Sequence, residues 1–118
     1  GIRYVQKALR LSPRDPMRWA MMVLIAYALL RLERYEEALD WARRATREPH
    51  AVFWPYAHVV VCLVALERID EAREALAELL RIEPKLTIQS IESSAGYVTD
   101  RKTQERYTDA LRKAGLPE

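Results

Sequence analysis

Two side chains that could bind a metal or act as a nucleophile lie one helical turn apart near the middle of the chain. His58 and Cys62 are four positions apart, which places both on the same face of a helix. A tetrahedral metal site needs at least one further ligand, and His50 is the histidine that could approach this face. A Cys–His nucleophile needs an orienting third group and an oxyanion hole, and the sequence indicates neither. We therefore expect a packed histidine beside a buried thiol, with no metal site and no catalytic residue.

Adjacent acidic residues are the other candidates for chemistry. Glu36-Glu37 and Asp70-Glu71 each stand at the start of a predicted helix, where negative charge is favourable at the positive end of the helix dipole. The chain has only 3 glycines, so no glycine-rich loop that cradles a phosphate is present. These patterns predict a chain that is not an enzyme and needs no cofactor.

The amino-acid composition limits the kind of protein and the kinds of partner that can be expected. The 118 residues are 50% hydrophobic and 31% charged, which is typical of one globular domain. The net charge is +2 with acids and bases interspersed, so no nucleic-acid partner is expected. The longest apolar run, residues 19–30, is shorter than the roughly 20 residues that a membrane span needs, so no membrane partner is expected either.

The single cysteine and the first residues of the chain indicate the cellular compartment. A single cysteine excludes an intrachain disulfide framework and fits a reducing compartment. The chain opens without a basic lead followed by an apolar core, so no signal peptide is recognised and a cytoplasmic location is predicted. It also opens without methionine, inside a predicted helix, and we expect it to be a piece of a longer protein.

The elements that position these residues follow from an internal repeat. Residues 32–38 read Leu-Glu-Arg-Tyr-Glu-Glu-Ala, and residues 66–72 read Leu-Glu-Arg-Ile-Asp-Glu-Ala, 34 positions later. Self-similarity at this period is the signature of an array of helix-turn-helix units. The sequence therefore predicts an all-α solenoid of about seven helices.

Helix boundaries are predicted from prolines, caps and apolar periodicity. A first helix ends at Ser12-Pro13, and Asp15 caps the second. After Pro84 the repeat is lost; Gly96 is a predicted helix stop and Asp100 a predicted cap. The predicted helices cover residues 4–11, 17–32, 35–47, 53–66, 69–82, 87–93 and 101–114. The last helix carries one apolar stripe and must dock on the rest of the chain: Tyr107, Ala110, Leu111, Ala114.

At this register the chain resembles the tetratricopeptide repeat family. The family pattern has an aromatic residue and then a small residue in the first helix, a large apolar residue and an alanine in the second, and a closing proline. The matching residues are Trp19, Ala26, Tyr35, Ala38 and Pro49, then Tyr56, Val60, Ile69, Ala72 and Pro84. Two departures stand out: Glu33 and Glu67 replace the usual turn glycine, and Val60 replaces a small residue.

The resemblance implies a right-handed α–α superhelix that forms a single domain over residues 1–118. Residues 19–52 and 53–86 would be complete repeats, residues 1–13 the second helix of a truncated one, and residues 87–118 capping helices. The family's function implies a protein–protein interaction scaffold with a protein or peptide partner. Its concave groove would be lined by Leu24, Tyr27, Leu30, Arg31, Trp54, Ala57, His58, Val61 and Ala65.

An aromatic and apolar lining of this kind suits an apolar or amphipathic helix. It does not suit the clamp by which some family members bind acidic tails, since the required lysines and asparagines are missing. Three alternatives stay open. The groove could be covered by the chain's own last helix, it could be covered by a second copy in a homodimer, or it could hold a small molecule or metal near Tyr27, Trp54, His58 and Cys62.

A narrower resemblance involves both ends of the chain. Residues 8–16, Ala-Leu-Arg-Leu-Ser-Pro-Arg-Asp-Pro, and residues 110–118, Ala-Leu-Arg-Lys-Ala-Gly-Leu-Pro-Glu, resemble the C-terminal repeat region of bacterial signalling proteins. In those proteins the region follows an adenylate or guanylate cyclase domain or a DNA-binding regulator domain. The cyclase's metal-binding aspartates have no counterpart in this chain.

Overall fold

The computed structural model describes residues 2–11, 13–95 and 101–118, and these residues form seven helices and no strand. The all-α class predicted from the repeat is thereby confirmed. The helices are α1 (Ile2–Leu11), α2 (Arg18–Arg31), α3 (Tyr35–Thr46), α4 (Phe53–Ala65), α5 (Ile69–Ile82), α6 (Ile88–Ala95) and α7 (Arg101–Ala114).

Consecutive helices pack as antiparallel pairs because the turns between them are short. Helix α2 packs against α3 and α4 against α5, while α3 also packs against α4 and joins the two pairs. Ala38 and Ala42 of α3 and Ala72 of α5 are completely buried. Small side chains at these positions allow the helix backbones to approach closely.

The turns inside the two pairs have the same backbone conformation. Glu33 and Glu67 both have φ of 61°, the left-handed region that glycine usually occupies. The amide of Arg34 donates to the carbonyl of Leu29 at 2.9 Å, and the amide of Arg68 donates to the carbonyl of Leu63 at 2.9 Å. These hydrogen bonds satisfy the last carbonyls of α2 and α4 in a Schellman motif.

The first connection is held by Arg18 of α2, which links α1 to the α3–α4 connection. Its Nη1 donates to the carbonyl oxygen of Leu9 at 2.8 Å, and its Nε donates to Oε1 of Glu48 at 3.1 Å. Helix α2 begins at Arg18, one residue later than predicted, and its N-cap is Met17 and not Asp15. Oδ1 of Asp15 instead accepts from the amide of Met17 at 2.8 Å in a local turn.

The two C-terminal helices pack against each other, and α7 also packs against α4 and α5. Thr87 precedes α6 as a reciprocal cap: its Oγ1 accepts from the Ser90 amide at 3.1 Å, and Ser90 Oγ accepts from the Thr87 amide at 2.9 Å. Helix α6 therefore begins at Ile88, and not at Thr87 as predicted. Helix α7 ends at Gly115, whose φ is 113°, and Pro117 accepts a hydrogen bond from the Ile88 amide at 2.9 Å.

Several predicted features need adjustment or lie outside the described residues. Helices α5 and α7 have their predicted bounds, whereas α2, α3 and α4 each end one residue earlier than predicted. Gly96 and Asp100, the predicted helix stop and cap, lie outside the described residues, as does Ser12. Within the described residues, every helix is too short or too polar to cross a membrane.

The left-handed glutamates give a prediction about stability. Glu33→Gly and Glu67→Gly should each raise the free energy of unfolding by about 1 kcal/mol, because glycine adopts positive φ without the steric cost that a Cβ imposes. Urea unfolding of each variant measures this change. Glu74→Gly, an exposed position inside α5, is the control and should lose about 1 kcal/mol. Destabilisation by all three variants would contradict a strained turn.

Candidate functional site

Helices α2 and α4, which carry the predicted groove residues, contact each other, and α7 packs against α4. Tyr107, Ala110, Leu111 and Ala114 are buried and lie three or four residues apart, so they form one stripe along α7. The sequence predicts this stripe but not where it docks. In the structure it faces the array, and α7 covers part of the predicted groove.

Tyr107 is the residue of α7 that meets the aromatic part of the groove. We call Tyr27, Trp54 and His58 the aromatic seat. The Tyr107 ring lies 5.1 Å from the His58 ring and 6.4 Å from the Trp54 ring, measured between centroids. The Tyr27 ring approaches His58 edge-on at 6.2 Å. Contacts at these separations and angles are favourable for aromatic groups.

His58 is the polar centre of the aromatic seat. Its Nδ1 atom lies 2.9 Å from the Tyr107 hydroxyl oxygen and 3.0 Å from the carbonyl oxygen of Trp54. If Nδ1 carries the proton, it donates to these oxygens and leaves Nε2 as an acceptor. If Nε2 carries the proton, the Tyr107 hydroxyl donates to Nδ1. In both tautomers the buried Nε2 atom has no hydrogen-bond partner among the described residues.

Burial shifts the pKa values of three groups at and beside the aromatic seat: His58, Cys62 and Tyr107. Desolvation lowers the pKa of His58 to about 4, although its hydrogen bond to Trp54 opposes the shift. Desolvation raises the pKa of Cys62 to about 12 and raises that of Tyr107 well above its ordinary value. At neutral pH the histidine, the thiol and the phenol are therefore all uncharged, as a buried and unpaired set of groups must be.

Beside the aromatic seat, α7 leaves a cleft open on the concave side. This cleft, which we call the α7 cleft, has a volume of about 350 Å³ and lies between α7 and the C-terminal ends of α2 and α4. Its volume falls in the range of small ligand sites. The lining residues are Leu30, Arg31, Tyr35, Val61, Val64, Ala65, Glu67, Thr103, Arg106, Tyr107, Asp109, Ala110 and Lys113.

The walls of the α7 cleft divide by chemistry. Aliphatic side chains of α2 and α4 line one side together with Arg31 and Glu67, while α7 contributes Arg106 and Lys113, two turns apart on the same helix face. Arg106 Nη2 donates to the Tyr35 hydroxyl at 3.0 Å, so its described partner is neutral. Asp109, the acid of α7 in the cleft, accepts from Arg112 at 2.9 Å. The cleft can therefore hold apolar groups on one side and interact with polar or anionic groups on the other.

The predicted groove residues fall into three groups. Leu30, Arg31, Val61 and Ala65 come together in the α7 cleft. Tyr27 of α2 and Trp54 and His58 of α4 form the aromatic seat. Ala57, also of α4, is completely buried. Leu24 is set apart, with 54% of its surface exposed on α2.

The residues considered for metal binding are not assembled into a site. Within the described parts of the chain, no group of three His, Cys, Asp or Glu side chains could hold a metal ion. Cys62 is a buried free thiol, whereas His50 is exposed in the α3–α4 connection. Tyr107 covers the pocket that a small-molecule site at Tyr27, Trp54, His58 and Cys62 would use.

Sequence reasoning missed the contribution of α7 to the cleft. Arg106, Asp109 and Lys113 flank the predicted apolar stripe of α7, so their helix face was visible in the sequence. What they would face was not, because residues after Pro84 leave the 34-residue register and no repeat position relates α7 to α4.

Comparison with known proteins supports the repeat interpretation. A family model described as tetratricopeptide repeat matches residues 1–51, which include α1, α2 and α3. With the seven described helices, this match confirms the predicted fold class, an α–α superhelix of the tetratricopeptide type. Tetratricopeptide repeats generally mediate protein–protein interaction and are typically non-catalytic. No curated protein and no solved structure matches the chain.

The contact between α7 and the aromatic seat gives a prediction about Tyr107. Tyr107→Ala should lower the free energy of unfolding by about 3 kcal/mol, since a buried ring is lost. Tyr107→Phe should lower it by about 1 kcal/mol, since only the hydrogen bond to His58 is lost. Urea unfolding provides the measurement. Tyr4→Ala, at a tyrosine that is 77% exposed, is the control and should change little. Equal effects at Tyr4 and Tyr107 would contradict the docking of α7.

Proposed function

We propose that the chain is a non-catalytic protein-interaction module whose binding site is the α7 cleft. The observation that carries this proposal is an open cavity of about 350 Å³ whose lining combines aliphatic side chains of α2 and α4 with charged ones: Arg31, Arg106, Lys113, Glu67 and Asp109. The tetratricopeptide match adds support, since repeats of this type generally bind proteins.

The cleft dimensions indicate what part of a partner enters. A volume of about 350 Å³ accommodates a few side chains and not a whole helix. An amphipathic segment would place apolar side chains against Val61, Val64 and Ala65 and polar or acidic ones near Arg106 and Lys113. The other predicted groove residues would support this site from beneath α7, with Tyr27, Trp54, Ala57 and His58 holding the helix and Leu24 at the periphery.

We further propose the domain organisation that the repeat register suggests. Residues 19–52 and 53–86 are two complete repeats within one domain, residues 1–13 are the second helix of an incomplete repeat, and residues 87–118 form the cap. In support of this division, Glu33 and Glu67 occupy equivalent turns with the same φ of 61°.

For the parent protein we propose a bacterial, cytoplasmic signalling protein of the adenylate or guanylate cyclase type. The chain would be its C-terminal regulatory region. The support is the similarity of residues 8–16 and 110–118 to such regions. Catalysis would then belong to another part of that protein.

Selection of peptides tests the proposed binding site. The full chain is immobilised and presented with a phage-displayed library of random peptides, and the enriched peptides are synthesised for titration. Lys113→Glu should weaken their binding at least about tenfold, because it reverses a charge of the cleft wall. Lys102→Glu is the matched control: it makes the same charge change on an exposed position of α7 outside the cleft and should leave affinity unchanged.

Two results would count against the cleft as the site. One is the absence of any enriched peptide. The other is an equal loss of affinity in the Lys113 and Lys102 variants, which would indicate a diffuse attraction to the charge of α7 and not a contact in the cleft.

Self-association is a second candidate function, favoured by exposed apolar side chains on the first two helices and their connection. Tyr4 and Leu11 of α1, Met17 at the start of α2 and Leu24 within it each expose more than half of their surface. Exposed apolar side chains mark a contact surface where they are contiguous, and Tyr4 and Leu11, seven positions apart, lie on the same face of α1.

Light scattering over a concentration series tests this second function. A homodimer built on this surface should have twice the monomer mass, and Leu24→Glu should return it to the mass of one 13.8 kDa chain. Glu substitution of Leu32, which is 61% exposed beyond the end of α2, is the matched control and should leave the dimer intact. A parent chain that stays monomeric at every concentration would exclude the homodimer.

A further inference from the structure

The aromatic seat contains a polar group that packing alone does not explain. His58 is 4% exposed, and its ring lies between Tyr27 of α2 and Tyr107 of α7. One ring nitrogen, Nε2, is buried without a hydrogen-bond partner among the described residues. An apolar ring at this position would not bury an unsatisfied nitrogen.

The surroundings of His58 provide nothing that could balance a positive charge. The titratable groups near the ring are Tyr27 from α2, Cys62 from α4 itself and Tyr107 from α7. The pKa of His58 is shifted by burial and by the hydrogen bond to the Trp54 carbonyl, and no carboxylate is among the causes. A protonated His58 would carry two N–H groups, and the one on Nε2 would face no acceptor.

The docking of α7 is what creates this environment. Tyr107 and Ala110 of α7 lie over the side of α4 on which His58 is found, and the Tyr107 hydroxyl contacts Nδ1. Without α7, the His58 ring would lie on the concave surface of the array, where water can solvate its charged form.

We propose that His58 makes the α7 helix an acid-sensitive latch, so that protonation of His58 releases α7 and uncovers the aromatic seat. Release would also dismantle the α7 cleft, because Arg106 and Lys113 leave with the helix. This proposal rests on the proposed function where it treats the groove as a binding surface. The latch itself depends only on the contact between α7 and α4.

The direction of the pH dependence follows from proton linkage. The docked state has a His58 pKa of about 4, below the ordinary value of 6.5 that the exposed ring regains on release. The released state therefore binds more protons, and docking weakens as the pH falls from about 6.5 towards about 4. Between pH 7 and pH 5.5, these two pKa values imply that the equilibrium constant for release rises roughly eightfold.

Cys62 supplies a built-in probe of release. It is the only cysteine of the chain, it is completely buried, and it lies one turn beyond His58 on the same face of α4. The reagent 4,4′-dithiodipyridine reacts with exposed thiols even at acidic pH. The rate in the folded chain, divided by the rate in the same chain unfolded by guanidinium at that pH, reports how often Cys62 becomes accessible.

The experiment compares this rate ratio at pH 7 and pH 5.5 in the full chain. We expect a roughly eightfold rise at pH 5.5 while the helical circular dichroism is retained. His58→Gln should remove the rise, and His58→Phe should do the same, so that the test does not depend on the folding of one variant. His50→Gln is the matched control: it removes the exposed histidine and should keep the rise.

Three results would overturn the latch. They are a rate ratio that does not change with pH, a rise that persists in both His58 variants, and a loss of helical signal at pH 5.5, which would indicate unfolding of the whole array. Since no partner takes part in this measurement, it can fail while the peptide selection succeeds, and the reverse also holds.

Discussion

The packing of α7 against α4 is the contact on which the functional geometry depends. It places Tyr107 on His58 and forms one wall of the α7 cleft. A helical array needs such a cover, because its terminal unit exposes an apolar face that no further repeat buries. Here the cover lies partly on the concave side, so the same helix that protects the core also determines which surface a partner can reach.

The repeated seven-residue stretch matters because each of its positions has a structural task. Glu33 and Glu67 take the left-handed turn conformation, and the arginine that follows each one forms an ion pair with a glutamate three residues later. Ala38 and Ala72 then allow the two helices of a pair to approach. Glutamate adopts a positive φ less readily than glycine, but the Schellman hydrogen bonds stabilise the turn in both places.

The helical array could be predicted from the sequence, whereas the lining of the α7 cleft could be predicted only in part. The period of 34 fixed the α2–α5 pairs, and local signals set α7 at its observed bounds. Local signals were less successful at Thr87. It was predicted as the first residue of a helix, but it forms a reciprocal cap with Ser90, and α6 begins at Ile88. The groove lining followed from repeat register, whereas the approach of Arg106 and Lys113 to it is a tertiary contact between segments that no period relates. Such contacts depend on how the cap docks, which the spacing of residues does not encode.

The aromatic seat shows how α7 can contribute to the core and still dock on α4 only moderately tightly. Leu111 and Ala114 bury apolar surface, which favours docking at every pH. His58 works against them, because its Nε2 atom is buried without a partner and its charged form is excluded from the docked state. A phenylalanine at this position would make the docking of α7 independent of this titration, but it would also leave the buried Tyr107 hydroxyl without its partner. The histidine therefore satisfies Tyr107 and makes the strength of α7 docking depend on the proton concentration.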